Sequence, residues 1–135
     1  CGQVWSKLGV LKGIVGNGQD KRYGISMRGP KTGFVIRYGW FHSYQIRPEQ
    51  FGYNSCAKEE LAGGTPEENA QITRDILSGK EQGPKREIVL LNAGAALYIG
   101  KKADSIADGI ALAAKTIDSG AAVRTLEAMV QATNA

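Results

Sequence analysis

Histidine and cysteine are scarce in this sequence. His42 is the only histidine, and Cys1 and Cys56 are the only cysteines among 135 residues. A single histidine excludes a metal cluster built from several histidines, and its place in a predicted strand favours a strand surface over a catalytic base. Two cysteines are too few for a disulfide scaffold, so we expect a reducing, cytoplasmic setting, with a Cys1–Cys56 disulfide as the alternative.

Long apolar runs are absent as well. The longest, Ile88 to Ile99, is interrupted by Asn92 and is shorter than the roughly 20 residues that a membrane-spanning helix needs. The sequence starts at Cys1 without the charged and apolar regions of a secretory signal. We therefore expect neither a membrane partner nor secretion.

Acidic residues are few in the front part of the chain. Residues 1–58 hold 9 Lys and Arg against 2 acids, Asp20 and Glu49, a sum of +7, whereas residues 59–135 hold 8 against 11, a sum of −3. The basic front is either a surface that attracts phosphate, nucleic acid or an acidic partner, or an ordinary solvated surface. The length predicts a single domain over residues 1–135, with a basic, strand- and hairpin-rich part over residues 1–60 and a helical part over residues 61–135.

The front part shows short strand patterns. Cys1 to Leu8 is typical of the end of a helix, and Val10 to Val15 of a short strand followed by a glycine-rich loop. Thr32 to Ile46 alternates with a period of two and turns around Tyr38 and Gly39, which predicts a β-hairpin.

The back part has four helical patterns. "TPEE" predicts a helix capped by Thr65 and Glu68 that runs to about Ser78, with an apolar stripe of Ala70, Ile72 and Ile76. The next helix, from Pro84 to Gly100, is apolar on nearly every face and is predicted to lie in the core, with Asn92 bonded to the backbone of a neighbouring loop.

The last two helices follow the same logic. Ser105 and Asp108 predict a helix start, and Gly120 a helix end. The expected apolar stripes are Ile106, Ile110, Ala113 and Ile117 in this helix, and Val123, Leu126 and Val130 in the last one. Strands in front and four helices behind predict an α/β fold, with α+β as the alternative.

Several motifs resemble one enzyme family. The stretch from "KREIVLLNAGAALYIG" through "KKADS" to "IDSG" is similar to the C-terminal end of anthranilate phosphoribosyltransferase, which carries "LNAAAALY", "GKADS" and "IDSG". "GGTPEENAQITRDILSG", "GPKRE" and the hairpin from "GPKTGFVIR" to "PEQFGY" resemble the same family. The resemblance implies the C-terminal part of a phosphoribosyltransferase-type α/β domain. It also implies an enzyme of tryptophan biosynthesis that transfers phosphoribose from phosphoribosyl pyrophosphate to the amino group of anthranilate, with Mg²⁺ on the pyrophosphate.

The sequence departs from that family at the sites of chemistry. The family's N-terminal helical domain, its "GTGGD" loop and its "KHGN" segment have no counterpart here. Where the family carries the adjacent Asp and Glu that serve Mg²⁺, this chain has Tyr23 and Gly24, and Asp20 is a weak remnant. Mg²⁺ prefers carboxylate oxygens, so we expect no metal, no cofactor and no catalytic residue in this chain.

These departures predict a protein that does not catalyse by itself. The alternatives are a non-catalytic assembly protein and, more weakly, a single-strand nucleic-acid-binding module. The latter depends on aromatic residues interleaved with basic ones: Tyr38, Trp40, Phe41, Tyr44 and Tyr53 with Arg28, Lys31, Arg37 and Arg47. The adjacent Glu59 and Glu60 are not expected to share a metal. We expect a homo-oligomer or a complementing N-terminal fragment as the partner, because an open strand edge at Val10 to Val15 seeks cover.

Overall fold

The computed structural model describes residues 27, 31–37 and 40–134, with side chains for Met27 and residues 45–134. The strands are β1 (Lys31–Arg37) and β2 (Trp40–Ile46). The helices are α1 (Pro66–Leu77), α2 (Pro84–Ile99), α3 (Ile106–Asp118) and α4 (Ala121–Thr133). The predicted helix end at Cys1 to Leu8, the strand at Val10 to Val15 and the loop after it lie outside the described residues.

Strands β1 and β2 pair antiparallel, in a register that joins Lys31 to Ile46 and Arg37 to Trp40. They form the only sheet within the residues that the structure describes. Short 3₁₀ turns at Pro48–Phe51 and Glu59–Leu61 then lead from β2 to the helices. The buried side chains of Met27 and Ile46 join the hydrophobic core formed by α2 and α3.

Helix α1 begins as its sequence predicts. The Thr65 hydroxyl accepts a hydrogen bond from the Glu68 amide at 3.3 Å, and the Glu68 carboxylate accepts one from the Thr65 amide at 2.7 Å. Ile76 is buried and Ile72 is half-buried, but the inclusion of Ala70 in the apolar stripe is wrong because Ala70 is exposed. Each residue turns the helix by about 100°, so a residue two positions before Ile72 lies on the opposite side.

Helix α2 buries one face in the core, although its sequence is apolar on nearly every face. Its buried apolar residues are Leu90, Leu91, Gly94 and Ala95, whereas Ala96 is exposed. The Asn92 side-chain amide donates a hydrogen bond to the Ile88 carbonyl of the same helix at 2.8 Å, and the expected bond to a neighbouring loop stays a prediction. A side chain on a helix can reach the carbonyl of the residue four positions before it.

Helices α3 and α4 differ in burial. Ser105 caps α3 through the Asp108 amide at 3.0 Å, and Ile110, Ala113 and Ile117 are buried, as predicted. In α4 no residue is buried, although the sequence pattern assigned it an apolar stripe. In the part of the chain that the structure describes, no helix has the length and apolar character needed to cross a membrane.

Candidate functional site

The residues singled out for metal chemistry lie outside the described part of the chain. Asp20, Tyr23 and Gly24 belong to the glycine-rich loop, so their prediction stands as made. His42 lies on β2, opposite Val35 in the register. Among the described residues no group of three or more His, Cys, Asp or Glu side chains could hold a metal ion.

The motif "GGTPEEN" forms a clamp at the start of α1. The Asn69 side chain donates to the Gly64 carbonyl and accepts from the Gly64 amide, both at 3.0 Å. A side chain at Gly63 would require the Asn69 side chain to shift, and one at Gly64 would require the Glu68 side chain to shift. Two polar side chains thus fold back over the glycines, and their hydrogen bonds hold the start of the helix.

The motifs "GPKRE" and "IDSG" meet in the structure through one ion pair. Arg86, in the first turn of α2, donates from Nη2 to Oδ1 of Asp118, the last residue of α3, at 2.8 Å. The Arg86 side chain is buried and that of Asp118 is 59% exposed. Arg86 Nη1 is buried without a hydrogen-bond partner. Among the described residues Asp118 forms the ion pair with this buried guanidinium, so the pair joins the ends of two helices.

A third motif, the "NAG" of "LNAGAAL", lets α2 and α3 cross at close range. A methyl group added at Gly109 would lie 2.9 Å from the carbonyl carbon of Gly94, and one at Gly94 would lie 2.6 Å from the Ile110 amide nitrogen. Real carbon atoms essentially never approach this closely, so both positions need glycine in this arrangement. The two backbones are thus in direct contact at the centre of the helical part.

An open depression of about 410 Å³ lies beside α1. Its lining includes Gly64, Glu68, Ile72 and Asp75. Glu68 is held by the helix cap, and Asp75 accepts a hydrogen bond from Gln71 of the same helix at 2.8 Å. Both carboxylates therefore accept hydrogen bonds from groups of the helix and its cap. This arrangement does not favour the two of them as a catalytic acid and base.

The connection between β2 and α1 contains two acidic groups whose pKa differs from its ordinary value. The Ser55 hydroxyl donates to the Glu49 carboxylate at 2.7 Å and lowers the pKa of Glu49. Burial raises the pKa of Tyr53, which packs against the core. A packed Tyr53 favours the packing interpretation of this aromatic residue over nucleic-acid stacking.

The acidic pair Glu59 and Glu60 lies in a 3₁₀ turn. The Glu60 carboxylate accepts a hydrogen bond from the Ala57 amide at 2.7 Å, and the Glu60 carbonyl accepts one from Lys85 Nζ at 2.7 Å. These contacts tie the turn to the start of α2.

The arrangement of helices and motifs agrees with a known protein family. Residues 3–123 match the model of the glycosyl transferase family, a/b domain. The chain belongs to this family. It is 46% identical over 132 residues to anthranilate phosphoribosyltransferase of Methanobrevibacter smithii, covering 98% of the chain and 39% of that relative.

Solved structures of the same enzyme resemble the chain. The crystal structure from Thermus thermophilus matches with a TM-score of 0.75 and 36% identity, over 89% of this chain and 34% of the other. The Saccharomyces cerevisiae enzyme in complex with PRPP and Mg matches with a TM-score of 0.69 and 28% identity, over 77% of this chain and 30% of the other. The chain corresponds to a C-terminal portion of these relatives and spans about a third of their length, between 30% and 39%.

Sequence reasoning located the motifs but missed what joins them. The Arg86–Asp118 pair, the Asn69 clamp and the contact of Gly94 with Gly109 appear only in the structure. A glycine inside a strongly helical pattern was the one available signal, because such a residue often marks a close backbone approach.

Proposed function

We propose that this chain is the helical C-terminal part of the α/β domain of an anthranilate phosphoribosyltransferase, and that it does not catalyse phosphoribosyl transfer by itself. The observation that carries the proposal is the use of the shared motifs. In the described residues these motifs cap helices, pair helix ends and bring helices into contact. The acids that they place beside the depression at α1, Glu68 and Asp75, accept hydrogen bonds from the Thr65 amide and from Gln71 of the same helix.

The reaction itself explains why more of the fold is needed. Transfer of a phosphoribosyl group requires donors that hold the pyrophosphate and positive charge that neutralises it as it leaves. The family's "GTGGD" loop and "KHGN" segment have no counterpart in this sequence. Relatives are about two and a half times as long as the matched portion, which leaves room for those parts elsewhere in their chains.

The test is an assay of the purified chain with anthranilate, phosphoribosyl pyrophosphate and Mg²⁺. Loss of anthranilate fluorescence reports formation of the phosphoribosyl product. We expect the rate to equal that of a sample without protein, with the full-length Methanobrevibacter smithii relative as the positive control. Turnover by the chain above that background would refute the proposal.

The proposal extends to the metal. Mg²⁺ that bridges phosphates is held by one or two carboxylates, and Tyr23 and Gly24 occupy the positions of the family's acids. We expect calorimetry to detect no specific Mg²⁺ site in the chain. Tyr23→Asp combined with Gly24→Glu should introduce one, whereas the neutral pair Tyr23→Asn and Gly24→Gln should not. Equal Mg²⁺ affinity in all three proteins would show that the assignment of these positions is wrong.

A cytoplasmic location and assembly with other polypeptides belong to the same proposal. A chain that holds only part of a fold needs cover for the rest of its core, supplied by further copies of itself or by a complementing N-terminal portion. Assembly is the second candidate function, and the exposed apolar side chains of α3 and α4 favour it.

A further inference from the structure

Three of the motifs meet at one corner of the helical part. Gly79 ends "GGTPEENAQITRDILSG", Arg86 belongs to "GPKRE" and Asp118 to "IDSG". Gly79 follows the end of α1, Arg86 lies in the first turn of α2, and Asp118 is the last residue of α3. A Cβ atom built on Gly79 would lie 3.7 Å from Asp118 Oδ1 and 3.8 Å from Arg86 Nη1. The ends of three helices therefore surround one guanidinium group.

The hydrogen-bonding capacity of this guanidinium is used only in part. Arg86 Nη2 donates to Asp118 Oδ1 at 2.8 Å, whereas Nη1 is buried and has no hydrogen-bond partner among the described residues. An arginine that faces a carboxylate often forms two parallel hydrogen bonds, but the ion pair here has one. A buried donor left unpaired on a charged group is costly. An acceptor beside Nη1 would therefore stabilise the folded chain.

The backbone of Gly79 leaves room beside Nη1. A methyl group at this position would contact Arg86 Nη1, Asp118 Oδ1 and Ile117 Cγ2 at 3.8, 3.7 and 4.0 Å, which are ordinary van der Waals distances. A group of one heavy atom thus fits between Gly79 and the ion pair. A water molecule has about that size, and buried water is held by roughly two to four polar partners.

The two polar atoms that border this space select the chemistry of its occupant. The occupant accepts a hydrogen bond from Nη1, which excludes a cation, and it lies beside a carboxylate oxygen, which repels an anion. A neutral hydroxyl group satisfies both atoms. We propose that Gly79, Arg86 and Asp118 form a binding site for one water molecule, which accepts from Arg86 Nη1 and donates to Asp118 Oδ1. The water closes a hydrogen-bond network at the corner where α1, α2 and α3 meet.

The experiment compares two alanine substitutions. Gly79 and Gly52 have φ values of 78° and 79°, so alanine has a similar backbone cost at both positions. A Cβ atom at Gly52 has nothing within 4 Å, so Gly52→Ala measures the backbone cost alone. Gly79→Ala places a methyl group in the proposed water site as well.

We expect the thermal midpoint of Gly79→Ala to lie about 3 °C or more below that of Gly52→Ala, because the methyl group displaces the water and leaves Nη1 unpaired. Equal midpoints would overturn the proposal, since the methyl group would then displace nothing. A higher midpoint for Gly79→Ala would overturn it too, because it would show that the methyl group improves the packing.

The same comparison in an Arg86→Met background tests the cause of the difference. Methionine fills the volume of the arginine stem without a buried donor. The midpoints of the two alanine variants should then differ by less than about 1 °C. A difference as large as that with Arg86 present would assign the effect to contacts of the methyl group and overturn the proposal.

A direct measurement covers the case in which the Arg86→Met proteins do not fold. Oxygen-17 relaxation dispersion counts the long-lived internal water molecules of a protein in solution. We expect Gly79→Ala to hold one fewer than the unsubstituted chain, and Gly52→Ala to hold the same number. The same number in all three proteins would contradict the proposal. So would a midpoint difference that grows with chloride concentration, because it would assign the site to an anion.

Discussion

The pair α2–α3 and the helix α4 are held to the protein in different ways. Helices α2 and α3 touch backbone to backbone at Gly94 and Gly109, and their ends are joined by a buried arginine. Helix α4 contributes no buried residue. Helices α3 and α4 are both 13 residues long and have similar amphipathic patterns. The comparison therefore shows that length and pattern do not decide which contacts hold a helix in place.

The largest effect is expected from a substitution that disrupts the close contact between α2 and α3. Gly109→Ala should lower the free energy of unfolding by about 2 kcal/mol, because overpacking of a close contact typically costs about 1–3 kcal/mol. The control is Ala111→Ser, an exposed position in the same helix that should change the free energy by less than about 0.5 kcal/mol. Urea unfolding measures both. Stabilisation by Gly109→Ala, as helix propensity alone would give, would mean that the helices are not in backbone contact.

The ion pair between the helix ends is the next test. Asp118→Asn removes the charge that faces Arg86, and we expect a loss of about 1–2 kcal/mol because the buried guanidinium is left without its countercharge. Glu127→Gln removes an exposed carboxylate from α4 and should cost less than about 0.5 kcal/mol. Similar losses in the two variants would argue that Arg86 does not depend on Asp118.

The comparison extends to α1, where a threonine hydroxyl caps the helix start, and to α4, where a threonine hydroxyl does not. Thr65→Ala removes a hydroxyl that caps the first turn and should cost about 1 kcal/mol. Thr125→Ala in α4 removes a hydroxyl that only donates back to the Ala121 carbonyl, so it should be neutral or slightly stabilising. The two unfolding curves would contradict this account if Thr125→Ala cost as much as Thr65→Ala.

The smallest effect concerns the end of α2. Lys101 has a φ of 56°, a left-handed conformation that costs a residue with a side chain roughly 1–2 kcal/mol. Lys101→Gly should therefore stabilise the protein, by about 0.5 kcal/mol after the greater entropy of glycine in the unfolded chain is subtracted. Lys102→Gly, one residue on, lacks that strain to relieve and should destabilise. The sign of the difference between the two variants decides the point.

Some of this structure follows from short stretches of sequence. The "TPEE" motif specified the start of α1, and Gly79 its end, because caps and breakers act on backbone groups within one helical turn. The same holds for Ser105 at the start of α3. The family motifs likewise pointed to the family to which the chain belongs.

Burial and pairing were decided by the tertiary structure. Residue types alone do not show that Arg86 pairs with Asp118, because the two lie 32 residues apart and the distance closes only when α2 packs on α3. The apolar stripe of α4 has the same pattern as that of α3, yet only α3 buries its stripe. A sequence thus determines which face of a helix is apolar, whereas the neighbours that the fold brings to that face decide whether it is covered.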